Sequence, residues 1–204
     1  MRIIQISDSH LSLDRPERTA ELEDCIRQIN RANPQPDIVV HTGDVAHNGR
    51  ADEYLLARQL LDNLAAPYIV LAGTRDNRHE LLKAFAHVCR EPLEDRFVQY
   101  SIEQFGVRLL CIDTVSEASN KGRLCPTRLD HIAAMLRADP SRPAVLLLHH
   151  PPFAVNVAPD PFQFEDWAQV DALQALILDH PQIQAMLCGH VHREAQTAVG
   201  PVSA

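Results

Sequence analysis

Four segments of the chain place aspartate or histidine directly after a short apolar run. They are "IIQISDSH" with Asp8 and His10, "IVVHTGD" with Asp44, "VLLLHHPP" with His149 and His150, and "AMLCGHVH" with His190 and His192. Because ligands of an α/β sheet collect outside the carboxyl ends of its strands, we expect these side chains to meet. Crowded carboxylates and imidazoles are costly to bury alone, and metal cations remove that cost. Aspartate and histidine without thiolate favour Zn, Mn or Fe over Ca or Mg.

The spacing inside each segment supports shared ligation. In D-x-H, strand alternation predicts that Asp8 and His10 point to the same face. In G-H-V-H, His190 and His192 are again two residues apart, and Gly189 permits a sharp bend at the strand end. Asp44, from the middle of the set, is placed to bridge two ions. Each motif alone is weak, since G-D is usually a turn and paired histidines are often packed core residues. Their joint occurrence after strands favours a metal centre.

Short apolar runs alternate with amphipathic runs, which predicts an α/β fold. The predicted strands are Ile3–Ser7, Asp37–His41, Tyr68–Leu71, Phe97–Ile102, Val107–Ile112, Ala144–His149 and Ala185–Cys188. The predicted helices are Thr19–Ala32, Asp52–Asn63, Arg78–Phe85, Arg128–Ala138 and Gln169–Leu178. The stretch "FVQYSIEQFGVRLLCID" predicts two strands joined by a tight turn, so the sheet arrangement is mixed.

No repeat or linker interrupts the pattern, so residues 1–204 are expected to form a single domain. The segment "REAQTAVGPVSA" begins a further strand and ends without a helix or cap, as a truncated chain or a frayed terminus would.

The composition narrows the function classes. A net charge of −8 disfavours binding to a nucleic-acid polymer, which normally needs a basic surface. No apolar run has the length of a membrane span, so no membrane association is expected. The five cysteines are an odd number without C-x-x-C spacing, which is typical of reduced thiols and predicts a cytoplasmic protein.

With these motifs in order, the chain resembles the calcineurin-like metallophosphoesterase family. The family pattern runs D-x-H, G-D-x-x, G-N-H-[DE], H-x-P or H-H-P, and G-H-x-H; the matching stretches here are "DSH", "GDVAHNG", "GTRD", "HHPP" and "GHVH". Within the family, "GDVAHNGRADEY" and "LHHPPF" are similar to the branch of class III cyclic-nucleotide phosphodiesterases and glycerophosphodiesterases. The resemblance implies a four-layer α/β/β/α sandwich with mixed sheets and a centre of two divalent or trivalent ions (Mn, Fe or Zn).

The resemblance also assigns the ligands. It gives Asp8, His10 and His192 to one metal, His149 and His190 to the other, and Asp44 to both. The H-x-P spacing selects His149 over His150, which leaves His150 behind the ligands or facing the substrate. The implied reaction is hydrolysis of a small phosphodiester, of the cyclic-nucleotide or glycerophosphodiester type, by a metal-activated water that attacks phosphorus. Relatives often dimerise, so a homo-oligomer is among the implied assemblies.

The block "GTRD" departs from the family pattern. Thr74 stands where similar proteins have the asparagine that completes the second metal site, and Arg75 stands where they have histidine. Threonine is a shorter neutral ligand, so we expect the second metal to bind more weakly. Arginine keeps its proton near neutral pH and cannot be a general acid, but it can hold a phosphate oxygen. The alternative is an Arg75 that points into solvent or pairs with a carboxylate.

Two further residues are predicted to contact substrate. His47 follows Asp44 by three residues, on the loop expected to face the metals, although a plain loop residue is an equal alternative. Arg78 opens a predicted helix and is expected to meet a phosphate, unless it is a surface charge. His41, which closes a strand, is expected to be packed and hydrogen-bonded.

Two other functions fit the same motifs. A broad phosphomonoesterase or nucleotide pyrophosphatase would use the same centre. A non-catalytic binding protein would explain the altered Thr74 and Arg75.

Overall fold

The computed structural model, which describes residues 1–89, 92–94, 96–156 and 161–204, contains two β-sheets. The first sheet comprises β1 (Ile3–Ile6), β2 (Ile38–His41) and β3 (Tyr68–Val70), in that order and all parallel. The second comprises β4 (Tyr100–Ile102), β5 (Arg108–Cys111), β6 (Ala144–Leu147), β7 (Ile183–Leu187), β8 (Ala198–Val199) and β9 (Val202–Ser203). Its order is β4-β5-β6-β7-β9-β8, with antiparallel pairs at both edges and parallel pairs between them. The predicted mixed arrangement is therefore confirmed.

Five helices accompany the sheets in the described part of the chain: α1 (Pro16–Asn30), α2 (Ala51–Leu61), α3 (Arg78–Ala84), α4 (Pro126–Ala138) and α5 (Trp167–Asp179). Proline opens α1 and α4, where its missing N–H is no loss. The side chain of Asn77 caps α3, and that of Asp166 caps α5, each by accepting a backbone N–H of the first turn. None of these helices is long and apolar enough to cross a lipid bilayer.

Alternate residues of the second sheet pack into two different cores. Leu109 and Leu147 join a core that also contains the first sheet and buried residues of α1, α2 and α3. Leu110 and Leu146 join a core formed with α4 and α5. Because adjacent strand residues point to opposite faces, the second sheet is buried on both sides. The result is the predicted four-layer α/β/β/α sandwich.

The strands end earlier than their sequence patterns predict. β1 ends at Ile6, β6 at Leu147 and β7 at Leu187, so the motif residues that follow lie in loops beyond the sheet edges. β4 begins only at Tyr100, because Phe97 forms an isolated bridge with Leu93. The C-terminal segment forms the hairpin of β8 and β9, with β9 paired parallel to β7.

Candidate metal centre

The loops after β1 and β2 run side by side and carry three of the predicted ligands. The backbone N–H of Asp8 donates to the carbonyl of Gly43, and that of His10 donates to the carbonyl of Asp44, both at 2.9 Å. The loop after β7 joins them, because the N–H of His190 donates to Asp8 Oδ2 at 3.0 Å. Backbone hydrogen bonds therefore fix the mutual positions of these loops before any ligand binds.

Left-handed backbone conformations concentrate at the predicted ligands. Asp8, His10, Asp44, His190 and His192 have φ of 55°, 45°, 54°, 74° and 50°. Among the described non-glycine residues, Glu94 alone shares this region with them. Such values are uncommon for residues other than glycine, with asparagine, aspartate and histidine adopting them more often than the rest, and they persist only where surrounding structure enforces them. Strand alternation was thus the wrong reason for the pairing of Asp8 with His10: left-handed loop residues bring them together.

One group of donor atoms comprises Asp8, His10 and His192. His192 Nε2 lies 3.1 Å from His10 Nε2 and 3.3 Å from Asp8 Oδ1. Asp8 Oδ2 accepts hydrogen bonds from Ser7 Oγ and the His190 N–H, whereas the buried Oδ1 has no hydrogen-bond partner. An unpaired buried carboxylate oxygen facing two imidazoles is the arrangement expected of a cation site.

A second group comprises Asp8, Asp44 and His149. His149 Nδ1 donates to the carbonyl of Thr42 at 2.8 Å, which leaves the buried Nε2 without a partner and 3.6 Å from Asp44 Oδ2. The same Oδ2 lies 3.6 Å from His10 Nε2, so Asp44 faces both groups, as a bridging carboxylate must.

The electrostatics suit ligation. Burial works against ionisation of Asp44, but the nearby imidazole of His149 and the backbone N–H of Arg75 outweigh it and lower the pKa of Asp44 to about 2. Burial lowers the pKa of His190 to about 4. Asp44 is therefore an anion and His190 a neutral imidazole near neutral pH, the forms that bind metal.

Two glycines allow the segments to approach closely. A Cβ on Gly73 would lie 2.2 Å from the backbone nitrogen of Asp44 and 2.4 Å from its Oδ1. A Cβ on Gly189 would lie 2.2 Å from Ser7 Oγ. The glycines of "GTRD" and "GHVH" are thus required by packing against ligand residues.

The altered block lies at this centre. Thr74 Oγ1 is 3.0 Å from His150 Nε2 and 3.4 Å from His190 Nδ1. The backbone N–H of Arg75 donates to Asp44 Oδ1 at 2.7 Å. The Arg75 side chain is exposed, and no ion pair or hydrogen bond of its guanidinium occurs among the described residues, so the predicted alternative of a carboxylate partner is not observed.

Asp76, in the same block, has a role that sequence reasoning missed. Its buried carboxylate accepts hydrogen bonds from the N–H of Gly73 at 2.8 Å, the N–H of Val45 at 3.1 Å and the hydroxyl of Tyr54 at 3.0 Å. Asp76 thereby ties the loop of Asp44 to the turn of Thr74. Its place as the fourth residue of the block was the only signal, because two of its partners, Val45 and Tyr54, are more than twenty residues away.

Arg78 needs correction. The prediction placed it on a phosphate, but its guanidinium forms two hydrogen bonds to the fully buried Asp113, at 2.7 and 2.9 Å, and a third to the carbonyl of Val115. Another carboxylate, that of Glu117, lies 3.2 Å from it. These partners use its donors, so Arg78 is a structural ion-pair residue.

The remaining histidines are placed as follows. His150 is fully buried, as is the predicted ligand His149, and its Nε2 lies 3.0 Å from Thr74 Oγ1. The ring of His47 lies edge-on to that of His10, with centroids 5.9 Å apart, at the rim of the first group. His41 is buried and hydrogen-bonded to Ser9 Oγ at 2.9 Å, as predicted.

Known proteins are similar to this chain in sequence and in fold. The sequence profile described as calcineurin-like phosphoesterase matches residues 1–194. The probable glycerophosphodiester phosphodiesterase GpdQ of Arcobacter nitrofigilis is 30% identical over 203 residues, covering 97% of this chain and 74% of that protein. The 3′,5′-cyclic adenosine monophosphate phosphodiesterase CpdA of Pseudomonas aeruginosa is 27% identical over 212 residues, covering 98% and 72%. A purple acid phosphatase from yellow lupin seeds shares the fold, with a TM-score of 0.67 at 16% identity over 94% of this chain and 38% of that one.

Proposed function

Since the chain belongs to the calcineurin-like phosphoesterase family and is a hydrolase, we propose that it uses two metal cations to hydrolyse small phosphodiesters. The observation that carries the proposal is the pair of donor groups that share Asp8 and both lie beside Asp44 Oδ2, each with a buried donor atom lacking a hydrogen bond. The activities for which the relatives are named, on glycerophosphodiesters and on cyclic adenosine monophosphate, support these two substrate classes.

Residues of both sheets would hold the cations. Asp8, His10 and His192 would hold the first, and Asp44 would lie between the two. His149 and His190 would hold the second, with the hydroxyl of Thr74 beside them. When bound, Zn, Fe or Mn ions would lower the pKa of a water molecule and neutralise charge on the phosphoryl oxygens.

Two of these ligands, His149 and Asp8, are oriented by hydrogen-bond partners. The Thr42 carbonyl fixes the tautomer of His149, with the proton on Nδ1 and the lone pair on Nε2. Ser7 and the His190 N–H hold Asp8 Oδ2, which directs Oδ1 into the site. Because these contacts form when the chain folds, the two side chains lose little further conformational entropy when a metal binds.

Arg75 is the proposed phosphate contact. Its backbone is held by Asp44, while the exposed guanidinium retains all its donors. A guanidinium can bind two phosphate oxygens at once, but it cannot protonate a leaving group near neutral pH. Arg75 would therefore bind the substrate phosphate, and His47 would border the substrate from the His10 side.

The test combines metal content with hydrolysis of bis(p-nitrophenyl) phosphate, measured with and without added Mn²⁺. We expect two metals per chain, diester hydrolysis, and loss of both metal binding and hydrolysis in Asp44→Asn. Hydrolysis of p-nitrophenyl phosphate at a comparable kcat/KM would instead identify a broad phosphomonoesterase. Absence of bound metal and of hydrolysis would reject the proposal.

We also propose that the protein is cytoplasmic. The five cysteines are all unpaired in the structure, which agrees with the reduced thiols of a cytoplasmic protein.

A further inference from the structure

The imidazole of His150 belongs to a third group of donor atoms, together with His149 and His190. One potential ligand atom of each residue lies within 4.8 Å of those of the other two. The ring centroids of His150 and His190 are 4.5 Å apart, and those of His149 and His150 are 4.8 Å apart. Three converging imidazoles, two of them fully buried, are therefore available to the second cation, although the family pattern uses only two of them.

His150 and the predicted ligand His149 each have an oxygen atom 2.8 Å from Nδ1. In His149, Nδ1 binds an oxygen at 2.8 Å and Nε2 is left facing the site. In His150, Nδ1 also lies 2.8 Å from an oxygen, the hydroxyl of Thr114, and Nε2 faces Thr74. The Thr42 carbonyl can only accept, so it puts the lone pair of His149 on Nε2. The Thr114 hydroxyl can accept from His150 Nδ1 as well as donate to it, so the same metal-binding tautomer is available to His150.

The hydroxyl of Thr74 is a poor fourth donor by comparison. It lies within hydrogen-bond reach of both His150 Nε2 and His190 Nδ1, at 3.0 and 3.4 Å, and its single proton can serve only one of them. Zn and Fe prefer imidazole nitrogen to a neutral hydroxyl. Thr74 occupies the position of the asparagine in similar proteins, so His150 Nε2, 3.0 Å from its hydroxyl, lies beside that position.

We propose that His150 Nε2 is a ligand of the second cation and replaces the asparagine oxygen that "GTRD" lacks. The second site is then formed by His149, His150 and His190 with the carboxylate of Asp44, and Thr74 is a hydrogen-bond partner. The inference rests on the two-cation centre of the proposed function. Exchange of an amide oxygen for an imidazole shifts the preference of this site from Mn towards Zn or Fe.

The test measures how many Zn²⁺ and Mn²⁺ ions bind per chain and with what affinity, independently of hydrolysis. The variants are His150→Ala, Thr74→Ala and, as a matched control, His79→Ala, whose imidazole is 81% exposed and belongs to none of the three donor groups. We expect His150→Ala to lose the second Zn²⁺, with an affinity loss above the roughly 100-fold upper range for outer partners. Thr74→Ala should change it less than about tenfold, and His79→Ala should not change it.

A double variant guards against a trivial folding defect. In Thr74→Asn/His150→Ala the family asparagine is restored, so the second ion should bind again and the preference should move towards Mn²⁺. An unchanged second Zn²⁺ affinity in His150→Ala, or its loss in Thr74→Ala, would overturn the inference while leaving the two-cation centre intact. Fewer than two ions on the unmodified chain at saturation would overturn both.

Discussion

Arg78 and Asp113 form a buried ion pair with two hydrogen bonds, and this pair connects α3 to the loop after β5. Asp113 is fully buried and also receives a hydrogen bond from Arg128 at 3.3 Å. The fork of the Arg78 guanidinium matches the carboxylate, so its charge is satisfied within the fold.

Arg78→Ala should therefore destabilise the protein rather than weaken substrate binding. Asp113 keeps Arg128 as a partner, so the loss of the Arg78 hydrogen bonds costs about 1.5–3 kcal/mol, which lowers the melting temperature by roughly 5–10 °C. Thermal unfolding and KM for bis(p-nitrophenyl) phosphate measure the two effects. Arg96→Ala is the control, because Arg96 is exposed and pairs only loosely with Glu117, at 3.7 Å. A raised KM of Arg78→Ala at unchanged melting temperature would instead show that Arg78 contacts the substrate.

Arg75→Ala should raise KM for the diester and lower kcat/KM by about tenfold or more, because a charge-assisted hydrogen bond to phosphate is lost. Metal content should stay the same, since only the backbone of Arg75 contacts Asp44. The measurement is steady-state kinetics of Arg75→Ala and Arg75→Lys, with Arg137→Ala as a control at an exposed arginine. Identical kinetics in all variants would mean that Arg75 only faces solvent.

Gly73→Ala should weaken metal binding, because the new Cβ would displace the backbone and carboxylate of Asp44. We expect a loss of about 10- to 100-fold in affinity, similar to the loss of an outer partner of a metal ligand. Gly106→Ala is the matched control, since a Cβ there would meet no atom within 4 Å. Zn²⁺ titration distinguishes them, and equal affinities would argue against the close packing of Gly73 on Asp44.

Acid should destabilise the metal-free protein partly through His41. Complete burial lowers the pKa of His41 to about 4, below the ordinary value of 6.5. Between pH 6.5 and about 4, His41 is protonated in the unfolded chain but not in the folded one. The free energy of unfolding therefore falls as the pH drops through this range. The loss from this residue is about 3 kcal/mol.

The variant His41→Gln keeps an N–H donor for Ser9 but does not titrate. Urea unfolding of the metal-free protein at several pH values between 7 and 4 should show a shallower decline in this variant. Parallel curves for the two proteins would contradict the assignment.

The sequence predicted the fold and the ligand types but not the backbone that presents them. Apolar periodicity located all five helices and the strands before the ligands, because burial of the sheets sets that pattern. It could not reveal left-handed conformations at Asp8 or Asp44, which depend on hydrogen bonds between separate loops.

Long-range partners were equally hidden from the sequence. Arg78 meets a carboxylate 35 positions away, and Thr74 meets His150 76 positions away. The prediction for Arg78 was made from its place at a helix start and that for Thr74 from the family pattern, and neither records which side chain lies across the fold.

The centre also joins the beginning and end of the described chain: His10 and His192, whose ring nitrogens lie 3.1 Å apart, are 182 positions apart in sequence. Each cation would draw donors from both sheets, so neither sheet alone offers a complete coordination sphere. Contacts of such separation form late when a chain folds, because loop-closure entropy opposes them. Cation capture during refolding would therefore report the moment at which the two sheets dock, and a metal-sensitive signal would time that step.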